Sequence, residues 1–151
     1  MSDDTAYDNW LRSTSVATET VDLSHRSHVT VRLYLDDVRP CPVGWTLARS
    51  VAEAIEVMKR WTVVDASLDH DLGACDECLK REEVAALAAT GAFLCPHIPN
   101  GMEFVRWMKR TGEWPTNKPT VHSANAGEAP RMREEIEAHW RPMNAGESSD
   151  V

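Results

Sequence analysis

A chain of 151 residues, 42% hydrophobic and 26% charged, has the size and balance of one globular domain with a sizeable core. Its formal net charge of −8 lacks the basic footprint of a general nucleic-acid binder, so an anionic ligand needs a bound cation or local Arg, Lys and His beside it. No apolar run is long enough to span a membrane. The acidic opening MSDDTAYDNWLRS has no apolar signal core, and the expected location is the cytoplasm.

Residues 1–25 are polar, with Trp10 and Leu11 as the only anchors, and read as a flexible N-terminal arm. The domain is expected over 26–142, and 143–151 as a flexible tail. Val29, Val31, Leu33 and Leu35 alternate with more polar positions, which predicts a strand over 29–35. That strand ends in Asp36-Asp37 and the turn-rich RPCPVGW. A short strand follows at Thr46–Ala48. Ser50 and Glu53 have capping-box spacing ahead of a helix carrying Val51, Ala54, Ile55, Met58 and Trp61 on one face.

The next strand, Thr62 to Leu68, runs into Asp69-His70-Asp71-Leu72-Gly73. Residues 74–99 then form an insertion with a helix around Lys80–Ala89. Asn100 caps another helix, with Glu103 three positions on and a Phe104, Val105, Met108 stripe. A strand over about Lys118–Val121 leads to His122-Ser123-Ala124-Asn125. The last helix, about Glu128–Trp140, packs through Ala129, Met132, Ile136 and Trp140, and Pro142 ends it. Strands alternating with helices predict an α/β fold: a mostly parallel sheet of about four strands flanked by helices.

Three of these strands end in reactive side chains. In an open parallel sheet, right-handed crossovers bring such ends to one edge, where ligands bind. Asp36, Asp37, Asp69, Asp71, His70, His122 and Ser123 are thereby expected in one cleft. Taken singly, Asp, Ser and Asn at these positions also serve as turn-formers and caps. Crowded carboxylates cannot all ionise without a cation, and hard oxygen donors suit Mg²⁺, while the histidines also admit Mn²⁺ or Zn²⁺.

Cys75-x2-Cys78 and Cys95-x-His97 supply three thiols and an imidazole, the ligand set of a closed structural zinc site. Reduced thiols filling apolar gaps are the alternative. Acidic Asp76 and Glu77 argue against a redox pair. Cys41 reads as structural, and His25, His28 and His139 as exposed or structural. Arg39 either grips a substrate phosphate or pairs with Asp36 or Asp71. Trp45 and Trp107 either stack on a nucleobase or pack in the core.

The pieces LYLDDVRPCPVGW, SLDHDLG and VHSANAGEAPRM resemble the cyclic-phosphate processing receiver-domain family, in order and spacing, over residues 29 to about 140. The resemblance implies a receiver-like, flavodoxin-like fold. It implies that Asp36 and Asp37 hold Mg²⁺, that Asp69 matches the phosphoryl-accepting aspartate, and that Ser123 contacts a phosphoryl oxygen. His70, Asp71, His122 and Asn125 are additions to the receiver pocket. The sequence departs from receivers in lacking a fifth strand with its lysine, and from the usual family pattern in the CDEC…CPH insertion.

The expected function is metal-dependent phosphoesterase chemistry on a cyclic or terminal phosphate of a small nucleotide-like substrate. Mg²⁺ or Mn²⁺ is expected on Asp36, Asp37 and Asp69, with Asp69 either nucleophile or ligand only. Asp71, His70 and His122 join the catalytic set, the imidazoles moving protons. Arg39, Ser123 and Asn125 are expected to bind substrate, and Zn²⁺ to sit on Cys75, Cys78, Cys95 and His97. The alternative is a non-catalytic receiver-like module for signalling or for binding a protein partner.

Overall fold

The computed structural model describes residues 18–89 and 95–142. Four strands, β1 (Thr30–Leu35), β2 (Thr46–Ala48), β3 (Thr62–Leu68) and β4 (Thr120–Val121), form one all-parallel sheet in the order β2-β1-β3-β4. The helices are α1 (Val51–Arg60), α2 (Asp76–Leu79), α3 (Glu82–Ala89), α4 (Gly101–Thr111) and α5 (Ala129–His139). This is the four-stranded parallel α/β architecture that the strand and helix pattern predicts, and the receiver-like fold that the resemblance implies. Residues 1–17, with Trp10 and Leu11, and residues 143–151 lie outside the described part. Thr18 and Glu19 both donate backbone N–H to the Arg110 carbonyl, at 2.7 and 2.9 Å, and Val21 packs against the core.

Alternation sorts the sheet into two faces. Leu33, Leu35, Ala66 and Leu68 point into one core with Val51, Ala54 and Met58 of α1, Phe104, Val105 and Met108 of α4, and Met132 and Ile136 of α5. Burying each such Leu, Phe or Met side chain contributes about 1.5–3 kcal/mol. Trp107 lies in this core too, stacked on Phe104 at 6.0 Å, so it is unavailable to a ligand. Side chains of the opposite parity form a polar row: Arg32, Tyr34 and Asp36 on β1, Asp65, Ser67 and Asp69 on β3. A register shift between Val31 and Arg32 sets Arg32 opposite Asp65, and the two form a 3.2 Å ion pair.

Caps fix where two helices begin. The Ser50 hydroxyl accepts from Glu53 N at 3.2 Å, and the Asn100 side chain accepts from Met102 N and Glu103 N at 3.0 and 3.3 Å. Glu53 does not complete a capping box. Its carboxylate accepts instead from Arg49 N, one residue before the cap, at 3.0 Å.

Three elements differ from the sequence pattern. The expected helix around Lys80–Ala89 is α3, which starts at Glu82, and a separate turn, α2, precedes it, because Leu79 N bonds back to Cys75 O and Arg81 N to Cys78 O around the CxxC pair. β4 covers only Thr120 and Val121, since Pro119 has no N–H to donate to the ladder. The connection from β1 to parallel β2 contains no helix. β2 pairs only with Leu33, Tyr34 and Leu35, so residues 36–45 need return just half the length of β1. Among the described residues no helix is long and apolar enough to cross a membrane.

Candidate metal centres and cleft

Parallel register carries Leu35, Leu68 and Val121 side by side, and the next residue of each strand therefore lies at one edge. Asp69 N donates to Leu35 O and His122 N to Leu68 O, both at 2.9 Å, extending the ladder by one step. Asp36, Asp69 and His122 thus form a row across three strands. Carboxylate oxygens of Asp36, Asp37 and Asp69 all lie within 4.8 Å of one another.

The three carboxylates are held differently. Asp36 is fully buried, which opposes its charge. The amides of Arg39 and Val38, at 2.8 and 2.9 Å from one oxygen, and His122 Nε2, at 2.9 Å from the other, outweigh that and hold it below the usual range. Burial pushes Asp37 up, and the neighbouring charges of Asp36 and Asp71 add to the shift. One Asp37 oxygen is buried with no hydrogen-bond partner. Burial and the Asp36 charge likewise raise Asp69, although the His70 amide (2.8 Å) and the Ser123 hydroxyl pull the other way. One ionised carboxylate beside two that resist ionisation, with a spare buried oxygen, is a donor set that fits a hard divalent cation.

One imidazole, His122, stands in the row and another, His70, follows Asp69, each differently bound. His122 bridges Ser67 Oγ, 2.7 Å from its Nδ1, and Asp36 on its Nε2, while its ring lies flat on Tyr34 with centroids 4.5 Å apart. Arg39 donates to the His122 carbonyl and keeps its Nε 3.8 Å from Asp36, so it is tied to the acidic row while remaining part-exposed. His70 is 2% exposed. Its Nδ1 meets Asp71 Oδ1 at 2.7 Å, and its Nε2 lies 3.7 Å from the Glu128 carboxylate. Asn125 donates to Asp71 at 3.2 Å and accepts from Gly127 N and Glu128 N, which commits both ends of its amide to the protein. Ser123 Oγ accepts from Asn125 N at 3.0 Å.

The backbone beneath this cluster is tightly packed. Gly101 N donates to His70 O at 2.8 Å, docking the start of α4 on the Asp69–His70 peptide. Gly73 turns the chain at φ +86°, and a Cβ there would meet the Asp37 carboxylate at 3.1 Å.

A second group of ligand-type residues is assembled in the insertion. Cys75, Cys78, Cys95 and His97 come together with every ligand atom within 4.8 Å of the others. His97 Nδ1 is 3.4, 3.3 and 3.8 Å from the sulfurs of Cys75, Cys78 and Cys95, and the Cys78 and Cys95 sulfurs are 3.9 Å apart. A tetrahedral ion with Zn–S of about 2.3 Å and Zn–N of about 2.0–2.1 Å requires S···S edges of about 3.8 Å and S···N edges of about 3.6 Å. The donor set fits. Burial and the neighbouring thiols push Cys78 up to about 11. Burial also opposes ionisation of Cys95, yet backbone amides of Cys75 and His97 outweigh it and bring that thiol down to about 6. Cys41 is separate, its thiol 3.4 Å from the Trp45 carbonyl in the turn after β1.

Sequence reasoning did not single out Tyr34, Ser67, Glu128 or Gly101. Strand parity contained the signal for two of them, because Tyr34 and Ser67 share a face with Asp36 and Asp69 one step below the site. Trp45 stands edge-on to Tyr34 at 6.3 Å with Arg32 over its ring. His25 and His28 are exposed, and His139 pairs with Glu135 at 3.4 Å. The receiver lysine has no counterpart here. The four lysines Lys59, Lys80, Lys109 and Lys118 pair with Glu56, Glu77, Glu135 and Glu137, away from the acidic row.

No curated protein and no solved structure matches the chain. A family model described as the cyclic-phosphate processing receiver domain matches residues 31–138, which covers most of the fold from β1 to α5 and all three strand ends at the cleft. The chain, whose parallel sheet aligns Asp36, Asp69 and His122 in one row, belongs to this family of cyclic-phosphate processing receiver domains.

Proposed function

We propose that the protein is a divalent-cation-dependent phosphoesterase that opens or hydrolyses a cyclic or terminal phosphate on a small nucleotide-like substrate. The observation that carries this reading is the buried, unpartnered Asp37 oxygen within the Asp36, Asp37 and Asp69 cluster, beside two imidazoles and a hydroxyl. Asp36, Asp37 and Asp69 would hold Mg²⁺ or Mn²⁺, which when bound supplies neutralisation of phosphoryl charge.

The chain's own residues divide the remaining work. Ser123, part-exposed beside Asp69, offers its hydroxyl to a phosphoryl oxygen. Arg39 supplies a guanidinium at the same rim. Asp71 holds His70 Nδ1 and so fixes which nitrogen carries the proton, leaving Nε2 to give or take one once the Glu128 carboxylate swings aside. His122, bound through both nitrogens, keeps Asp36 ionised and oriented. Asn125 acts through Asp71. The Cys75, Cys78, Cys95 and His97 site is read as structural zinc, a role compatible with a reducing, cytoplasmic setting.

A turnover screen tests this reading. Cyclic mononucleotides, vicinal cyclic phosphates of ribonucleosides and ADP-ribose cyclic phosphate are incubated with Mg²⁺ or Mn²⁺. Cation-dependent ring opening, lost in Asp36→Ala and Asp69→Ala, is the expected result. No turnover of any member with either ion overturns the enzyme reading in favour of a binding module.

A further inference from the structure

We propose that the ion held by Cys75, Cys78, Cys95 and His97 positions the acidic centre, so that its occupancy sets how tightly Asp36, Asp37 and Asp69 bind a divalent cation. The inference rests on the metal reading of both clusters and adds a coupling between them.

The coupling follows from where the insertion is anchored. Cys75 lies two residues after Gly73, the residue against which the Asp37 carboxylate packs. His97 lies four residues before Gly101, whose backbone touches Asp69 O and bonds to His70 O at 2.8 Å. The four metal-ligating residues therefore tie together the chain segment that packs on the Asp37 carboxylate and the one that packs on the Asp69 backbone. One ion closes that tie.

Among the described residues of the insertion, little else can do so. α2 has four residues and buries none, and α3 has eight and buries only Val84 and Ala88. Leu79 and Leu87 are exposed. Helices this short, with so little apolar burial, do not hold a loop by themselves. Without the ion, Gly73 and Asn100-Gly101 lose their cross-tie. The carboxylates, which repel one another, are then free to spread. Outer supports of a metal site typically govern its affinity by about 10–100-fold.

The test is Mn²⁺ binding to the full chain, followed by isothermal titration with zinc content measured on the same samples. Thiolates select Zn²⁺ over Mn²⁺, so Mn²⁺ reports on the acidic centre alone. Wild type should hold about one Zn²⁺. Cys78→Ser should lose it and bind Mn²⁺ about 10–100-fold more weakly. His97→Cys, with four thiolates, should keep zinc and wild-type Mn²⁺ affinity. Should Cys78→Ser fail to fold, His97→Ala retains three thiolates, and its Mn²⁺ affinity should climb as Zn²⁺ is added. Zinc-free, folded Cys78→Ser with unchanged Mn²⁺ affinity, or a flat Zn²⁺ response in His97→Ala, overturns the coupling while leaving the phosphoesterase reading intact. Wild type free of zinc overturns the zinc site itself.

Discussion

The backbone of Gly101 approaches that of Asp69 so closely that a Cβ on Gly101 would lie 1.9 Å from the Asp69 carbonyl oxygen. Helix α4 is seated on the acidic strand end through that missing side chain, and Asn100 caps it there. Gly101→Ala should therefore shift either the helix or the Asp69–His70 peptide, at a cost of about 1–3 kcal/mol in unfolding free energy. Denaturant unfolding measures this. A variant as stable as wild type would mean that α4 can slide without disturbing the site.

Asp37 should act in the opposite direction. Its carboxyl is raised from the ordinary 3.8 by burial and by Asp36 and Asp71, so the folded state holds the proton more tightly than the unfolded one. Stability is then lost as pH rises from 3.8 through the folded value, and above that value the loss is constant. Asp37→Asn removes the penalty. Without added divalent cation it should stabilise the fold at pH 7, with the gain fading as pH falls towards the ordinary 3.8. Divalent binding should weaken at the same time. Unfolding curves across pH check both the sign and the window.

Asp71 tests the assignment of His70. Replacing it with Asn keeps the shape but removes the carboxylate that fixes His70 Nδ1 at 2.7 Å. Turnover of whichever cyclic phosphate the wild type opens should fall about 10²–10⁴-fold in kcat, as expected for a disabled acid–base group. Mn²⁺ affinity, which depends on Asp36, Asp37 and Asp69, should stay close to wild type. Equal rates in Asp71→Asn and His70→Ala to the wild type would make that pair structural.

Zinc should be part of the folded state. Because a closed four-ligand site is linked to folding, chelation should lower the thermal midpoint, and Zn²⁺ should restore it. Differential scanning calorimetry before and after chelation makes the comparison. All four thiols reacting freely in the native protein would contradict it.

A phosphorelay role predicts something different again. Receivers carry a lysine in the pocket, whereas every lysine here is paired with a glutamate elsewhere. Incubation with acetyl phosphate and Mg²⁺ should leave the intact mass unchanged. A stable phosphoryl adduct on Asp69 would restore the signalling reading.

Much of this arrangement was legible in the residues. Alternation in β1 gave that strand and its faces, and Ser50 and Asn100 marked helix starts through local hydrogen bonds that need no tertiary context. The convergence of Asp36, Asp69 and His122 followed from parallel connectivity alone. What escaped depends on contacts distant in sequence. Glu128 reaches His70 only because α5 begins over the cleft. Trp107 is buried because α4 turns that face inward, although its place in the chain also suited a ligand contact. The break between α2 and α3 is set by the CxxC turn, which overrides an otherwise helical composition at Lys80 and Arg81. Whether Ser50 and Glu53 form a full capping box hinged on an Arg49 amide that no spacing rule includes.

The outer strands of the sheet carry a further consequence. β2 has three residues and β4 two, so the described sheet is bordered on both sides by strands too brief to offer more than a few free amides and carbonyls. Another chain looking for a ladder to extend finds little to pair with, and the groove beside β2 is rimmed by Glu53, Glu56 and Arg60. Brevity at its borders thus protects this sheet from recruiting strands of its neighbours, and lengthening either border strand should make the protein prone to edge-to-edge aggregation.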